Sequence, residues 1–177
     1  MSVLVGKCGD LMQNEFKADL AYSLSPEHDQ IWTSAYKNAF PTFVERLPVS
    51  DLKLQKRGVD ATLVMRGGKT VLVDEKIRRS VYSDILLEYW SNEEKRVPGW
   101  IAKDQLCDYL AYAFEPTRRC YILPFLQLRK CWWDNRHSWV KEHRVIHAQN
   151  PGYTTVCVAI PTKVLLNNVL RSMVVDF

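Results

Sequence analysis

Two short strand-like runs, Ala61–Met65 and Thr70–Val73, flank the pair Gly67-Gly68, and the polar residues of most interest sit at their outer ends. Such runs around glycines predict a β-hairpin. Upstream, Ser25-Pro26-Glu27 offers an N-cap, a proline for the first helical position and an acid for the first turn. A helix is predicted from there to about Phe40, with Ile31, Ala35, Ala39, Trp32, Tyr36 and Phe40 forming a broad apolar stripe. Asp10 to Tyr22 has looser helical spacing. Pro41 and Pro48 bracket a connector, and Leu52–Gln55 reads as a short strand.

Beyond the hairpin, Asp84–Trp90 is a third strand whose Ile85, Leu86 and Leu87 imply burial on both faces. After a polar loop and the Pro98-Gly99 turn, Ile101 to Phe114 reads as an amphipathic helix stopped by Pro116. Arg119–Leu128 is strand-like, edged by Pro124. Residues 129–147 are basic, aromatic and helical in spacing, Asn150-Pro151-Gly152 is a turn, Tyr153–Ile160 a strand and Thr162–Leu170 a short helix. Helix, strands, helix and strand in this order predict one mixed α/β domain.

Composition narrows the setting. A formal net charge of +4 leans mildly toward polyanionic partners. The five cysteines (Cys8, Cys107, Cys120, Cys131, Cys157) are odd in number, scattered and without a C-x-x-C pair, which favours reduced thiols over a disulfide or zinc framework. No apolar run approaches the roughly 20 residues of a membrane helix, and the N-terminus lacks the form of a secretory signal. A cytoplasmic protein without membrane association is expected.

The hairpin ends carry the chemistry. Asp60 opens the first strand, and Asp74-Glu75-Lys76 closes the second. Carboxylates are the hard oxygen ligands that Mg²⁺ prefers, one or two per ion with water completing the shell. A neighbouring ammonium can steady an attacking water and a developing oxyanion. The set suits metal-assisted phosphodiester hydrolysis. Asp74 and Lys76, two apart on a strand, share a face. A two-residue turn would set Asp60 against Glu75. A three-residue Arg66–Gly68 loop, or a bulge, would set it against Asp74. The latter is preferred, because Glu75 alternates with Val71, Val73 and Ile77 on an apolar face.

Val59-Asp60 followed by Val73-Asp74-Glu75-Lys76 resembles the PD-(D/E)XK nuclease superfamily, with Val59 in place of the eponymous proline. Gln105-Leu106-Cys107-Asp108-Tyr109 resembles the Gln-x-x-x-Tyr pattern of its RecB-type branch. The likeness covers roughly residues 27–125, with 129–177 as a C-terminal addition. It implies a restriction-endonuclease-like core, a central mixed β-sheet flanked by helices. It also implies a Mg²⁺-dependent deoxyribonuclease, with Mn²⁺ able to substitute. Asp60 and Asp74 would hold the metal, Lys76 would stand beside the attacking water, and Gln105 and Tyr109 would position the lysine or the phosphate backbone. A further acid is expected from Asp29 or Glu27, from Asp19 or Glu15, or from Glu88. Target choice would come from a homodimer or a protein partner. The alternative is a non-catalytic nucleic-acid-binding or assembly protein that keeps the fold.

Other features weigh less. Gly68-Lys69-Thr70 is no phosphate loop, since Leu63 stands where the first glycine belongs and the chain passes from strand to strand. His143 and His147, one helical turn apart, lack a third ligand. Arg57, Arg78 and Arg79 near the hairpin, with Arg129, Lys130, Arg136 and Lys141 among Trp132, Trp133 and Trp139, are candidate DNA contacts.

Overall fold

The computed structural model describes residues 28–177. Chain order is α1 (Asp29–Ala39), β1 (Phe43–Pro48), α2 (Leu52–Gln55), β2 (Ala61–Met65), β3 (Thr70–Arg78), β4 (Asp84–Asn92), β5 (Val97–Pro98) and β6 (Tyr109–Phe114). There follow β7 (Arg119–Pro124), α3 (Phe125–Glu142), β8 (Arg144–Asn150), β9 (Tyr153–Pro161), α4 (Thr162–Asn168) and β10 (Met173–Asp176). The protein is mixed α/β. One sheet runs β1-β2-β3-β6-β7-β10 and a second runs β5-β4-β9-β8. Only β3 and β6 pair in parallel; every other neighbouring pair of described strands is antiparallel.

Alternation along β6 explains the layering. Ala111 and Ala113 face a core with Trp32 and Tyr36 of α1, whereas Leu110, Tyr112 and Phe114 face a core with Leu128 and Trp132 of α3 and Val158 of β9. The first sheet is thus covered by α1 on one face and by α3 and the second sheet on the other. Each large apolar side chain buried in these layers contributes about 1.5–3 kcal/mol.

Several sequence expectations change here. Ser25 and Pro26 lie outside the described residues, and α1 starts at Asp29. Leu52–Gln55 is a helical turn and not a strand, capped by Asp51, whose carboxylate accepts the Lys53 N–H at 2.7 Å. The predicted helix over 101–114 is absent: its first half is turns and irregular chain, and its second half is β6. A continuous apolar run such as Tyr109–Phe114 fits a central strand buried on both faces as well as a helix. The crossover from β3 to its parallel partner β6 therefore passes through β4, β5 and a loop, with no helix of its own. β4 lies in the second sheet, against β5 and β9, and not beside the hairpin. The strand expected over 119–128 ends at Pro124, where α3 begins, and α3 ends before His143. His147 is on β8 with its Nδ1 3.2 Å from Glu93 Oε2, so the two histidines share no helix face. β10 was not expected at all.

Candidate active site

The hairpin has the three-residue loop. Ala61 pairs with Val73 and Val64 with Thr70, and the Met65 N–H donates to the Lys69 carbonyl at 2.8 Å, leaving Arg66, Gly67 and Gly68 in the loop. Gly67 and Gly68 have φ of +86° and +81°, a region glycine enters without steric cost. Carried one residue further, this register sets Asp60 beside Asp74. The Asp60 N–H donates to Val73 O at 2.8 Å, and its Oδ2 accepts the Glu75 N–H at 2.9 Å.

Asp74 is buried, with 2% of its side chain exposed, and its Oδ1 accepts a hydrogen bond from the Lys76 ammonium, which stays 36% exposed. The Asp60 carboxyl is pushed up to about 7, first by burial and then by the charge and hydrogen bond of Asp74, against the pull of Lys76. Burial works against the Lys76 charge, yet the carboxylates of Asp74 and Asp60 outweigh it and hold the ammonium above its ordinary value. Two acids and one lysine thus share a single small region where the chain entering β2 meets the second half of β3.

Glu75 points to the other face. Its carboxylate accepts from Tyr36 OH at 2.8 Å and from Arg46 Nε and Nη2 at 2.8 and 2.6 Å. Asp29 belongs to that same far cluster, accepting from Arg46 Nη1 at 2.8 Å, so it is not a partner of Asp60 and Asp74. Glu27, Asp19 and Glu15 lie outside the described residues.

Glu88 approaches the site from the second sheet. Its carboxyl is raised by burial, against the Trp100 N–H that reaches Oε1 at 3.2 Å and the charges of Lys103 and Lys76; Asp74 raises it further. Lys103, on the loop after Gly99, had no signal in the sequence beyond its charge. Cys107 sits close enough for the Asp74 charge to act on its thiol, which burial already pushes up.

The Gln-x-x-x-Tyr pair separates. Tyr109 packs edge-on to Phe40 at 5.5 Å between ring centroids, on the α1 face with Glu75. Gln105 lies in the loop against Gly58, where an added Cβ would come within 3.0 Å of its Cδ. Its buried Oε1 has no hydrogen-bond partner among the described residues. Asp108 between them ties the loop to β3, its Oδ2 accepting the Leu72 N–H at 2.8 Å.

The basic residues divide as well. Arg78, two residues along the face from Lys76, donates to Tyr112 OH at 3.1 Å and lies 4.2 Å from the Tyr82 ring centroid. Arg57 and Arg79 are exposed. On α3, Arg129 pairs with Asp104 at 3.0 Å and Lys130 with Asp134, while Lys141 is exposed. Trp132 and Trp139 are core; Trp133 is 43% exposed, with the Arg136 guanidinium 4.1 Å from its ring centroid.

Among the described residues no group of three or more His, Cys, Asp or Glu side chains gathers in ligand geometry. Two carboxylates are within what Mg²⁺ takes from a protein. Burial first and the Asp74 charge after it raise Asp60, and a divalent cation between the two carboxylates would offset both, so the donor set fits. The four described cysteines are free. No described helix is long and apolar enough to cross a membrane. No protein-family model matches this chain, and no curated protein matches it in sequence.

Proposed function

We propose that this protein is a divalent-cation-dependent nuclease with a restriction-endonuclease-like core, cleaving phosphodiester bonds in DNA. One observation carries the reading: Asp60 and Asp74 converge beside Lys76 on one face of β2 and β3, while Glu75 is drawn to the opposite face. Asp60 and Asp74 would hold Mg²⁺, or Mn²⁺ in its place. When bound, the cation supplies charge neutralisation at the scissile phosphate and a more acidic attacking water. The remaining work falls to the chain. Lys76 Nζ donates hydrogen bonds to the water and to the phosphate oxygen on which charge grows. Arg57, Arg78 and Arg79 lie near enough in sequence to meet the flanking phosphates.

A non-catalytic nucleic-acid-binding or assembly role is the second reading. It is favoured by the Asp74–Lys76 ion pair, which balances the buried carboxylate from within the chain, and by the separation of Gln105 from Tyr109. The test uses the full chain with single-stranded, duplex and branched DNA and either Mg²⁺ or Mn²⁺. The nuclease reading expects cleavage that Asp74→Ala and Lys76→Met each reduce on the order of a hundredfold or more. Calorimetric Mn²⁺ binding should disappear in Asp74→Ala. DNA binding without cleavage, unaffected by Asp74→Ala, would establish the second reading.

A further inference from the structure

The register of β3 with β6 is unbroken where Asp74, Lys76 and Arg78 pair with Leu110, Tyr112 and Phe114, so all three side chains share one face. Neighbours on that face are about 6.6 Å apart along the strand. The phosphate next to one held at Lys76 therefore comes within reach of Arg78. Two tyrosines fix the guanidinium. Its Nη1 donates to the hydroxyl of buried Tyr112 at 3.1 Å, and its Cζ lies 4.2 Å from the ring centroid of Tyr82, on the loop between β3 and β4.

The partners of Arg78 set it apart. Arg46 and Arg129, half-buried as it is, each meet a carboxylate, Glu75 at 2.6 Å and Asp104 at 3.0 Å. Among the described residues no carboxylate forms an ion pair with Arg78. A half-buried cation held only by neutral tyrosines leaves its charge to be balanced from outside the chain. Stacking takes one face of the guanidinium and leaves free the in-plane N–H groups that fit phosphate oxygens. Tyr82 stays 40% exposed although Arg78 covers its ring, and Val81 beside it is exposed as well. An open aromatic face next to a guanidinium without a carboxylate suits one nucleotide, its phosphate on the cation and its base on the ring.

We propose that Arg78 and Tyr82 form a nucleotide clamp beside the site, Arg78 holding the phosphate next to the scissile one and Tyr82 stacking on an unpaired base, so that the preferred substrate is single-stranded DNA. In a duplex the base faces are already stacked on one another and offer Tyr82 nothing. The placement next to a scissile phosphate rests on the nuclease reading of Asp60, Asp74 and Lys76; the clamp itself needs only a bound strand.

Anisotropy titrations of the full chain test it, with a fluorescent single-stranded oligonucleotide and its duplex, in EDTA so that nothing is cleaved. The wild type should bind the single strand more tightly than the duplex. Tyr82→Ala should weaken single-strand binding on the order of tenfold and duplex binding less than twofold, whereas Tyr82→Phe, which keeps the ring, should stay within about twofold of the wild type. Arg78→Gln, which can still donate to Tyr112, should weaken single-strand binding and lower the slope of log affinity against log salt by about 0.7, the share of one phosphate; Arg78→Lys should restore the slope. A wild type that prefers the duplex, equal losses for both DNAs in Tyr82→Ala, a Tyr82→Phe as weak as Tyr82→Ala, or an unchanged slope in Arg78→Gln overturns the inference. If the wild type cleaves DNA with Mg²⁺ but Tyr82→Ala and Arg78→Gln bind and cleave single strands as it does, the clamp fails and the nuclease reading stands. If nothing is cleaved yet binding follows the expected pattern, the nuclease reading fails and the clamp stands.

Discussion

Arg46 grips Glu75 with two parallel hydrogen bonds, Nε to Oε1 at 2.8 Å and Nη2 to Oε2 at 2.6 Å, on the face of the sheet away from Asp60 and Asp74. The fork fits the carboxylate plane, and Tyr36 OH fills a further lone pair. Adjacent acids on one strand are thereby sent to opposite duties: Glu75 to an internal ion pair, Asp74 to the candidate site.

Breaking that pair should cost stability. The side chains are only 9% and 6% exposed, and removing one member strands the other charge in the core. Arg46→Met and Glu75→Gln should each destabilise by about 3–5 kcal/mol in urea unfolding. The double substitution should cost less than the sum. Single variants within about 0.5 kcal/mol of the wild type would mean that the pair is solvated and has no such role.

Asp60 gives the protein a pH signature. Its carboxyl sits at about 7 instead of 3.8, chiefly through burial and then Asp74. A carboxyl that binds its proton more tightly folded than unfolded contributes its full stability below 3.8 and loses it as pH rises through about 7. Asp60→Asn cannot ionise there. Between about pH 4 and pH 8 the wild type should therefore lose roughly 2–4 kcal/mol relative to this variant in urea melts, both without added metal. Mn²⁺ affinity of the wild type should climb about tenfold per pH unit and level off near 7, as one proton is released on binding. A flat stability difference across this range would place Asp60 in an ordinary solvated setting.

The hairpin was legible because local rules govern it: alternating strands, two glycines, and an acid whose only apolar-face alternative was Glu75. The three-residue loop follows from that alternation. Residues 101–114 misled for a physical reason. Ile101 and Cys107 enter the same core as Leu110 and Phe114, so their spacing imitates a helix, although the first two come from a loop and the last two from a strand. The second sheet was also hidden. β4 pairs with β9, some seventy residues away, and nothing local in DILLEYW indicates which strand it will meet. Glu88 could be suspected as a buried acid, but its seat in the second sheet comes from that long-range pairing alone.

Separation of Gln105 from Tyr109 makes a sharp prediction. Tyr109 packs on Phe40 across the sheet from Lys76, so Tyr109→Phe should leave any cleavage activity within about twofold. Gln105 lies against Gly58, two residues before Asp60, and Gly58 has φ +72°. Gly58→Ala adds both backbone strain and a close contact with Gln105 Cδ, and should destabilise by about 1–3 kcal/mol. Activity that fell tenfold in Tyr109→Phe would show that the tyrosine hydroxyl reaches the chemistry after all.

The three tryptophans of α3 are expected to part company. Trp132 is fully buried between the sheets, its ring tilted against those of Tyr89 and Trp139 at centroid distances of 5.3 and 6.4 Å. Trp132→Ala should therefore cost about 3–5 kcal/mol of stability. Trp133 faces outward, its ring already under the Arg136 guanidinium at 4.1 Å, an arrangement that can accept a base on the open side while the cation meets a phosphate. If α3 lies along the DNA path, Trp133→Ala should weaken binding of a fluorescent single strand by about 1–3 kcal/mol in anisotropy titrations, with stability unchanged. Arg129 and Lys130 are engaged with Asp104 and Asp134, so their alanine variants should weaken it less than Trp133→Ala does. Unchanged affinity in Trp133→Ala would take the outer face of α3 out of the binding path and leave Arg57, Arg78 and Arg79 beside the hairpin to guide the strand.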